Sequence, residues 1–252
     1  MSSTERKRIA GFGAADEALV AALHALDDAT NYRDWIFDLA RPHLLAAERI
    51  LEVGAGSGTF TDLLAQVAST LSLEPGPSGF AALSARFSQR ADVEVVKAGT
   101  DDLVRVADGR RFDAAFLSNV LEHIDDDVAA LDVIRQVLRP GGRVIVFSPA
   151  FDILYSRFDA TVGHHHRYRR EVLSARMRRA GLDVVEAKYV NSVGFLTWLV
   201  YVRALGRSPA DVRAVRAFDR FVVPVLRAVE ARLRPPFGQS VLVVGERPRD
   251  AP

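Results

Sequence analysis

Apolar residues recur at helical spacing through the opening stretch of the chain. Leu19, Leu23 and Leu26 are followed by Trp35, Ile36 and Leu39, which predicts helix over 14–45 with an interruption at Arg41-Pro42. The pattern then changes to short β-rich runs alternating with helical ones. Strands are predicted at 50–53, 71–73, 93–97, 112–118 and 144–148, and helices between them at 60–68, 78–89 and 126–138. Such alternation predicts a mostly parallel sheet with helices on both faces. The run Val144, Ile145, Val146, Phe147 is apolar at every position, as a strand covered on both faces requires. A helix at 170–180 stops at Gly181, a residue suited to the left-handed turn that ends a helix, and strands follow at 182–190 and 240–245. Between these last two strands, 191–238 is helical, Arg-rich and apolar, and no simple crossover needs that length. It is read as an insertion or lid.

The 252 residues are 49% hydrophobic, enough for a substantial core. They are read as one domain over 1–252: a helical N-terminal cap (1–47), an α/β core (48–190), the insertion (191–238), and a final strand with tail (239–252). Lys and Arg number 33 against 32 Asp and Glu, a net charge of +1. No global field favours nucleic acid, and no such partner is expected. Arg is nevertheless dense from Arg157 onward, while Asp gathers at 101–102 and 125–127, so the C-terminal third is the basic part. The absence of cysteine excludes disulfides, thiolate metal sites and cysteine nucleophiles, and fits a reducing compartment. The N-terminus is charged without the apolar core of a signal peptide, and the longest apolar stretch, 193–202, falls short of the ~20 residues that cross a bilayer. A soluble, cytoplasmic protein is expected. The pattern carries no signal for oligomeric state.

The strongest local motif is Leu51-Glu52-Val53-Gly54-Ala55-Gly56-Ser57-Gly58-Thr59-Phe60, a buried strand running into glycines that open a helix. Glycines let the backbone turn sharply and approach a ligand closely, and a helix N-terminus offers N–H donors to an anionic group. A tight turn with no ligand is the plainer alternative. A dinucleotide fingerprint would place Gly or Ala where Thr59 stands, which disfavours a nicotinamide or flavin enzyme. Glu74 ends the next predicted strand, twenty residues after Gly54, where a carboxylate can accept hydrogen bonds from both hydroxyls of an adenosine ribose. That feature suits nucleotide and S-adenosylmethionine (SAM) cofactors equally.

Two further motifs separate them: Phe116-Leu117-Ser118-Asn119-Val120-Leu121-Glu122-His123-Ile124 and Leu138-Arg139-Pro140-Gly141-Gly142-Arg143-Val144. With these in sequence order, the chain resembles the class I SAM-dependent methyltransferases, in the branch holding many small-molecule enzymes. The resemblance covers residues 31–190 and, loosely, the last strand. It implies a doubly wound, Rossmann-like sheet of seven mostly parallel strands, the last antiparallel. It also implies SAM as cofactor, with S-adenosylhomocysteine as product. Glu52 and the loop of Gly54, Ala55, Gly56 and Gly58 would hold the methionine part, Glu74 with Pro75 the ribose, and Ser118, Asn119 and Val120 the surroundings of the sulfonium. Adenine contacts would fall to Thr100 and Asp101, although Gly99 occupies the position that is usually acidic.

On the acceptor side, Tyr32 and Trp35 stand where family members fold a helix over the cofactor, and aromatic faces suit a sulfonium. Core packing is the competing role for Trp35. Gly163-His164-His165-His166-Arg167-Tyr168, preceded by Tyr155, Arg157 and Asp159, matches a Gly-His-x-x-Arg-Tyr stretch that borders the acceptor pocket in that branch. Tyr155, Arg167, Tyr168, Trp35 and Trp198 are therefore candidate acceptor contacts. Three consecutive side chains point in different directions, so one metal ion held by all three histidines is not expected, and the site is read as metal-free; two with an outside carboxylate remain the alternative. His164, His165 and His166 are candidate bases for a hydroxyl acceptor. His123 is read as structural, with a base role open. An amine would need only to arrive unprotonated, so the histidines do not choose between O- and N-methylation.

Val193, Phe195, Leu196, Trp198, Leu199 and Tyr201 form one apolar cluster of the insertion and Phe218, Phe221, Val222 and Leu226 a second, flanked by Arg203, Arg207, Arg213, Arg216 and Arg220. A packed lid is the plain reading. The sharper one is a pocket for a bulky apolar or lipid-like acceptor, with transient membrane-surface contact. Methyl transfer to a small-molecule acceptor by in-line displacement is the expected activity. The alternatives are a non-catalytic SAM-binding or interaction protein and a nucleotide-dependent oxidoreductase.

Overall fold

The computed structural model describes residues 29–204 and 212–249; the helical run expected at 14–28 and Arg207 lie outside the described residues. Seven strands form one sheet: β1 (Arg49–Val53), β2 (Ser69–Leu73), β3 (Val93–Val96), β4 (Phe112–Ser118), β5 (Leu138–Pro149), β6 (Asp183–Val190) and β7 (Ser240–Glu246). Their order is β3-β2-β1-β4-β5-β7-β6. The first five are parallel, and β7 runs antiparallel to both β5 and β6. This is the doubly wound fold expected from the alternation of strand and helix.

Side chains that alternate along each strand build a separate core on each face. Ile50, Phe116, Ile145 and Leu242 lie in one buried cluster, and their chain neighbours Leu51, Leu117, Val146 and Val243 in the other. The first face is covered by the helix Thr30–Ala40, which buries Trp35, Ile36, Phe37 and Ala40. The second is covered by helices Asp127–Val137 and Arg170–Arg179, through Leu131, Ile134, Leu173 and Met177. Arg41-Pro42 does interrupt the first helix, as a 3-10 turn over Arg41–His43.

Two boundaries differ from expectation. β5 begins at Leu138 and not at 144, because a register shift against β4 between Phe112 and Ala114 takes up Arg139–Gly142 within the strand. The helix expected at 60–68 is one short segment, Thr61–Ala65.

The insertion folds as Ser192–Trp198, a wide π turn at Leu199–Ala204, then Val212–Ala217, a second π turn at Phe218–Val222, and Val223–Glu230. Two buried or half-buried carboxylates fasten it. Asp219 accepts from the backbone N–H of Asn31 at 3.2 Å and of Tyr32 at 2.8 Å, the open donors at the start of the first helix. Glu230 accepts from the N–H of Asn191 at 3.0 Å and of Ser192 at 2.8 Å. Val223 and Leu226 join the core beneath the first helix. Among the described residues, no helix is long and apolar enough to cross a membrane.

Candidate active site

Strand order reverses between β1 and β4, and at such a switch point the connections diverge and open a crevice beyond the C-terminal strand ends. The loop after β1 enters it through Gly54, whose φ of +69° lies in the left-handed region. A Cβ at Gly54 would stand 2.5 Å from Val120 Cγ2, so this backbone passes directly against the end of the β4 connection. Gly54 and Ala55 donate their N–H groups to the Leu73 carbonyl at 2.8 and 2.9 Å. The N–H of Gly56 donates to Glu74 Oε2 at 2.8 Å, and that of Gly76 to Oε1 at 2.7 Å. Glu74 is thereby held across the mouth of the glycine loop.

A cavity of about 850 Å³ fills the crevice, a size that suits a small-molecule ligand. Its wall contains Glu52, Gly54, Ala55 and Gly56, then Glu74 and Pro75, then Thr100 and Asp101, with Ser118, Asn119 and Val120 from the end of β4 and Tyr32 from the first helix. Gly58 does not line it. A Cβ there would meet Phe87 at 2.4 Å, so Gly58 serves the packing of the loop on helix Pro77–Phe87. Glu52 accepts the hydroxyls of Thr61 and Ser72, each at 2.6 Å. Burial, reinforced by nearby Glu74 and opposed by the two hydroxyls, pushes Glu52 up to about 7. Asn119 takes a φ of +54° while its N–H donates to Phe147 O at 2.8 Å, and Ser118 Oγ is buried with no hydrogen-bond partner among the described residues.

The same cavity continues to His123, Phe158, His164, Arg167 and Trp198. His164 is the one member of the histidine triplet in its wall. Its Nδ1 meets Asp159 Oδ1 at 2.8 Å, and Asp159 also accepts from Arg167 Nε at 2.7 Å and from the N–H and hydroxyl of Ser156. These partners hold the fully buried Asp159 carboxyl well below the usual carboxylate range against the opposing effect of burial. The His123 ring lies 4.7 Å from that of His164, edge to face. Burial, aided by His164, pushes His123 down to about 4, so it is a neutral imidazole near pH 7. Behind both rings stands Glu122, fully buried, raised by that burial, and accepting the Ser148 hydroxyl at 2.9 Å.

Five other candidates stand away from the cavity wall. Trp35 is 3% exposed within the core of the first sheet face, so its helical periodicity reflects core packing and not a cover over the ligand. Tyr168 is fully buried and donates its hydroxyl to Asp127 Oδ2 at 2.8 Å, bracing the loop against the helix Asp127–Val137. Tyr155 donates to the His164 carbonyl at 2.9 Å and supports that residue from behind. His165 is exposed, and His166 turns toward Tyr168, with ring centroids 5.9 Å apart. Consecutive side chains diverge, as the triplet required. Glu122 and Asp159 are site residues that the sequence pattern does not single out. Their signal was position: Glu122 beside His123, and Asp159 five residues before His164.

Residues 24–187 match the profile of the methyltransferase-domain family. Among curated proteins, the ubiquinone biosynthesis O-methyltransferase of Dinoroseobacter shibae is 28% identical over 105 residues, 42% of each chain. The chain thus spans less than half the length of that relative. Among solved structures, a SAM-dependent methyltransferase from Archaeoglobus fulgidus superposes with a TM-score of 0.58 at 17% identity, covering 85% of this chain and 94% of that one. The N-methyltransferase NodS from Bradyrhizobium japonicum, in complex with S-adenosylhomocysteine, gives 0.54 at 18% identity, covering 86% and 88%. The two structural likenesses speak to fold alone.

Proposed function

The chain belongs to the class I SAM-dependent methyltransferase family, and from that premise we propose that it transfers the methyl group of SAM to a hydroxyl oxygen of a small apolar acceptor. In this reading Glu52 and the loop from Gly54 to Gly56 hold the methionine part, Glu74 the ribose, and Thr100 and Asp101 the adenine. The acceptor lies against His123, His164, Phe158 and Trp198. SAM is already activated, so the protein's task is to hold the oxygen in line with the methyl carbon and sulfur and to exclude water. The C–O bond forms as the C–S bond breaks and its electron pair passes to sulfur.

The observation that carries this reading is one continuous cavity, running from the glycine loop to a wall of imidazole backed by buried carboxylates. An unprotonated amine needs no such wall, whereas a hydroxyl gains from a group that takes or displaces its proton. The name of the Dinoroseobacter relative supports the O-methyl class. The insertion supports an apolar, lipid-like acceptor met at a membrane surface, since Leu196, Val200, Phe221 and Val225 are exposed on it beside arginines. The test is titration calorimetry with SAM and S-adenosylhomocysteine, followed by transfer of labelled methyl to a panel of phenols, alcohols and amines, with and without liposomes. O-methyl ethers are expected. Methyl found only on nitrogen, or NADH binding more tightly than SAM, would refute the reading.

A further inference from the structure

His123 and His164 line the cavity and Glu122 stands buried behind them; each offers one metal-ligating atom, and these atoms all lie within 4.8 Å of one another. His164 spends Nδ1 on Asp159, which leaves Nε2 turned toward Glu122 Oε1 at 3.9 Å. That distance is too long for a hydrogen bond. It suits two ligands of one ion, since bonds of about 2.0–2.2 Å place ligand atoms roughly 3.3–4.3 Å apart. Glu122 Oε1 is buried, aimed into the cluster, and has no hydrogen-bond partner among the described residues, whereas Oε2 takes the Ser148 hydroxyl. A buried carboxylate oxygen with no partner is costly, and a cation removes that cost.

The surroundings are those a metal site needs. The nearby guanidinium of Arg167 is engaged with Asp159 Oδ1. His164 carries a carboxylate on its far nitrogen; such an outer partner fixes the tautomer and orientation of a ligating histidine. We propose that Glu122, His123 and His164 form a binding site for one divalent cation of the first transition row, open toward the cavity. Two imidazoles and one carboxylate select Zn2+, Mn2+ or Fe2+ over Mg2+ and Ca2+, which prefer oxygen ligands. Three protein ligands with an open position is the pattern of a catalytic site and not of a structural one.

The role of the ion rests on the hydroxyl-acceptor reading above. The acceptor oxygen takes the open position, its proton passes to water as the oxygen binds, and the resulting oxyanion attacks the methyl carbon. Glu122 and the oxyanion together neutralise the divalent charge. The cluster departs from the metal-free expectation because His123, read as structural, stands beside one member of the triplet, and the carboxylate comes from the chain position next to it.

The test is titration of the metal-stripped full chain with Co2+, followed by visible absorption, with Mn2+ bound in parallel and read by electron paramagnetic resonance. One ion per chain is expected, with the intense visible bands of a low-coordinate Co2+ site. Glu122→Gln and His164→Gln each weaken binding by at least about 100-fold, and Asp159→Asn by about 10- to 100-fold. SAM affinity within threefold of wild type certifies the fold of each variant; where Glu122→Gln fails that criterion, His123→Gln replaces it. Sub-stoichiometric Co2+, or binding unaltered in the variants, overturns the site. Full-rate methyl transfer to a hydroxyl in metal-free enzyme also overturns it, and leaves the O-methyl reading standing. Stoichiometric metal lost in the variants, without transfer to any hydroxyl, supports the site and sinks the O-methyl reading.

Discussion

With Glu52 holding the methionine part as proposed, cofactor binding is expected to release a proton, with a sign and size that follow from the burial of Glu52. The carboxyl is 3% exposed and titrates at about 7 where 4.5 is ordinary, so its ionised form is disfavoured by roughly 3 kcal/mol, each tenfold change being worth about 1.4. If the ammonium of the methionine part is held against Glu52, that charge restores the ionised form. SAM binding then expels about half a proton at pH 7 and close to one at pH 6, and affinity falls about tenfold per pH unit below 7. The free protein shows the opposite face of the same effect. A folded-state value above the unfolded one means that the native state binds more protons between 4.5 and 7, so stability falls as pH rises through that window, by roughly 3 kcal/mol in all. Calorimetric titration of SAM at pH 6, 7 and 8, in buffers of different ionisation heat, reads the protons released. Glu52→Gln supplies the reference, and urea unfolding of both proteins from pH 4.5 to 8 reads the stability. The reasoning is refuted if wild type releases no more protons at pH 6 than the Gln variant, or if the two stability profiles run parallel.

Three other changes test the frame around the site. Gly54→Ala places a methyl group 2.5 Å from Val120 Cγ2 at a φ of +69°; it is expected to cost about 1–2 kcal/mol from backbone strain and to weaken SAM binding at least about tenfold, with Val120→Ala recovering part of the loss. Trp35→Ala removes a core side chain, so denaturation is expected to show a loss of about 3–5 kcal/mol, while KM for the acceptor, measured well below Tm, stays unchanged. Asp219→Ala leaves the N–H groups of Asn31 and Tyr32 without their acceptor. A loss of about 1–3 kcal/mol is expected, and hydrogen exchange is expected to quicken at those two amides and across Phe218–Val222.

The sheet was legible because its strands are buried on both faces, and a run such as Val144 to Phe147 has no other environment to occupy. The glycine loop was legible because positive φ restricts residue choice at Gly54, leaving a backbone requirement written as a residue type. β5 was misjudged at its start because Pro140, Gly141 and Gly142 read as a turn. Pairing of Leu138 with Phe112 and of Arg143 with Ala114 on either side, together with the hydrogen bonds of the Gly141 N–H to Arg247 O and of the Arg247 N–H to Gly142 O, each at 2.8 Å, keeps that stretch in the strand. The acceptor wall was half legible. The His164–Tyr168 loop stood out by composition, but periodicity does not say which of three adjacent rings turns inward. Asp159, at the end of a capping box on the short helix Arg157–Val162, makes that choice by taking the His164 Nδ1. Glu122 was hidden for another reason: a Glu before a His in a loop looks solvated, and its burial depends on packing between β4, β5 and the loop beyond.

The two ends of the cavity are built from different material, and this ties the insertion to the chemistry. Around the glycine loop, backbone does much of the holding, at Gly54, Gly56 and Asn119, and side-chain variation elsewhere hardly reaches it. The histidine end of the cavity is a relay of side chains from separate segments. Trp198 of the insertion donates its indole N–H to Leu154 O at 2.9 Å and lies under the Arg167 guanidinium at 5.0 Å. Arg167 pairs with Asp159 at 2.7 Å, and Asp159 orients His164 at 2.8 Å. Trp198 is therefore three contacts from the His164 imidazole in the cavity wall. If Trp198 only lined the pocket, Trp198→Ala would raise KM for the acceptor and leave kcat alone. The relay predicts that kcat falls too, because Arg167 loses one of the faces that hold it and the Asp159–His164 pair loosens with it. Trp198→Phe keeps the aromatic face and should retain most of kcat, whereas Trp198→Leu, apolar but flat-faced for no cation, should resemble Ala. Steady-state kinetics on the three variants separate the cases, and a Leu variant with wild-type kcat would show that the lid contributes apolar surface and nothing to the orientation of His164.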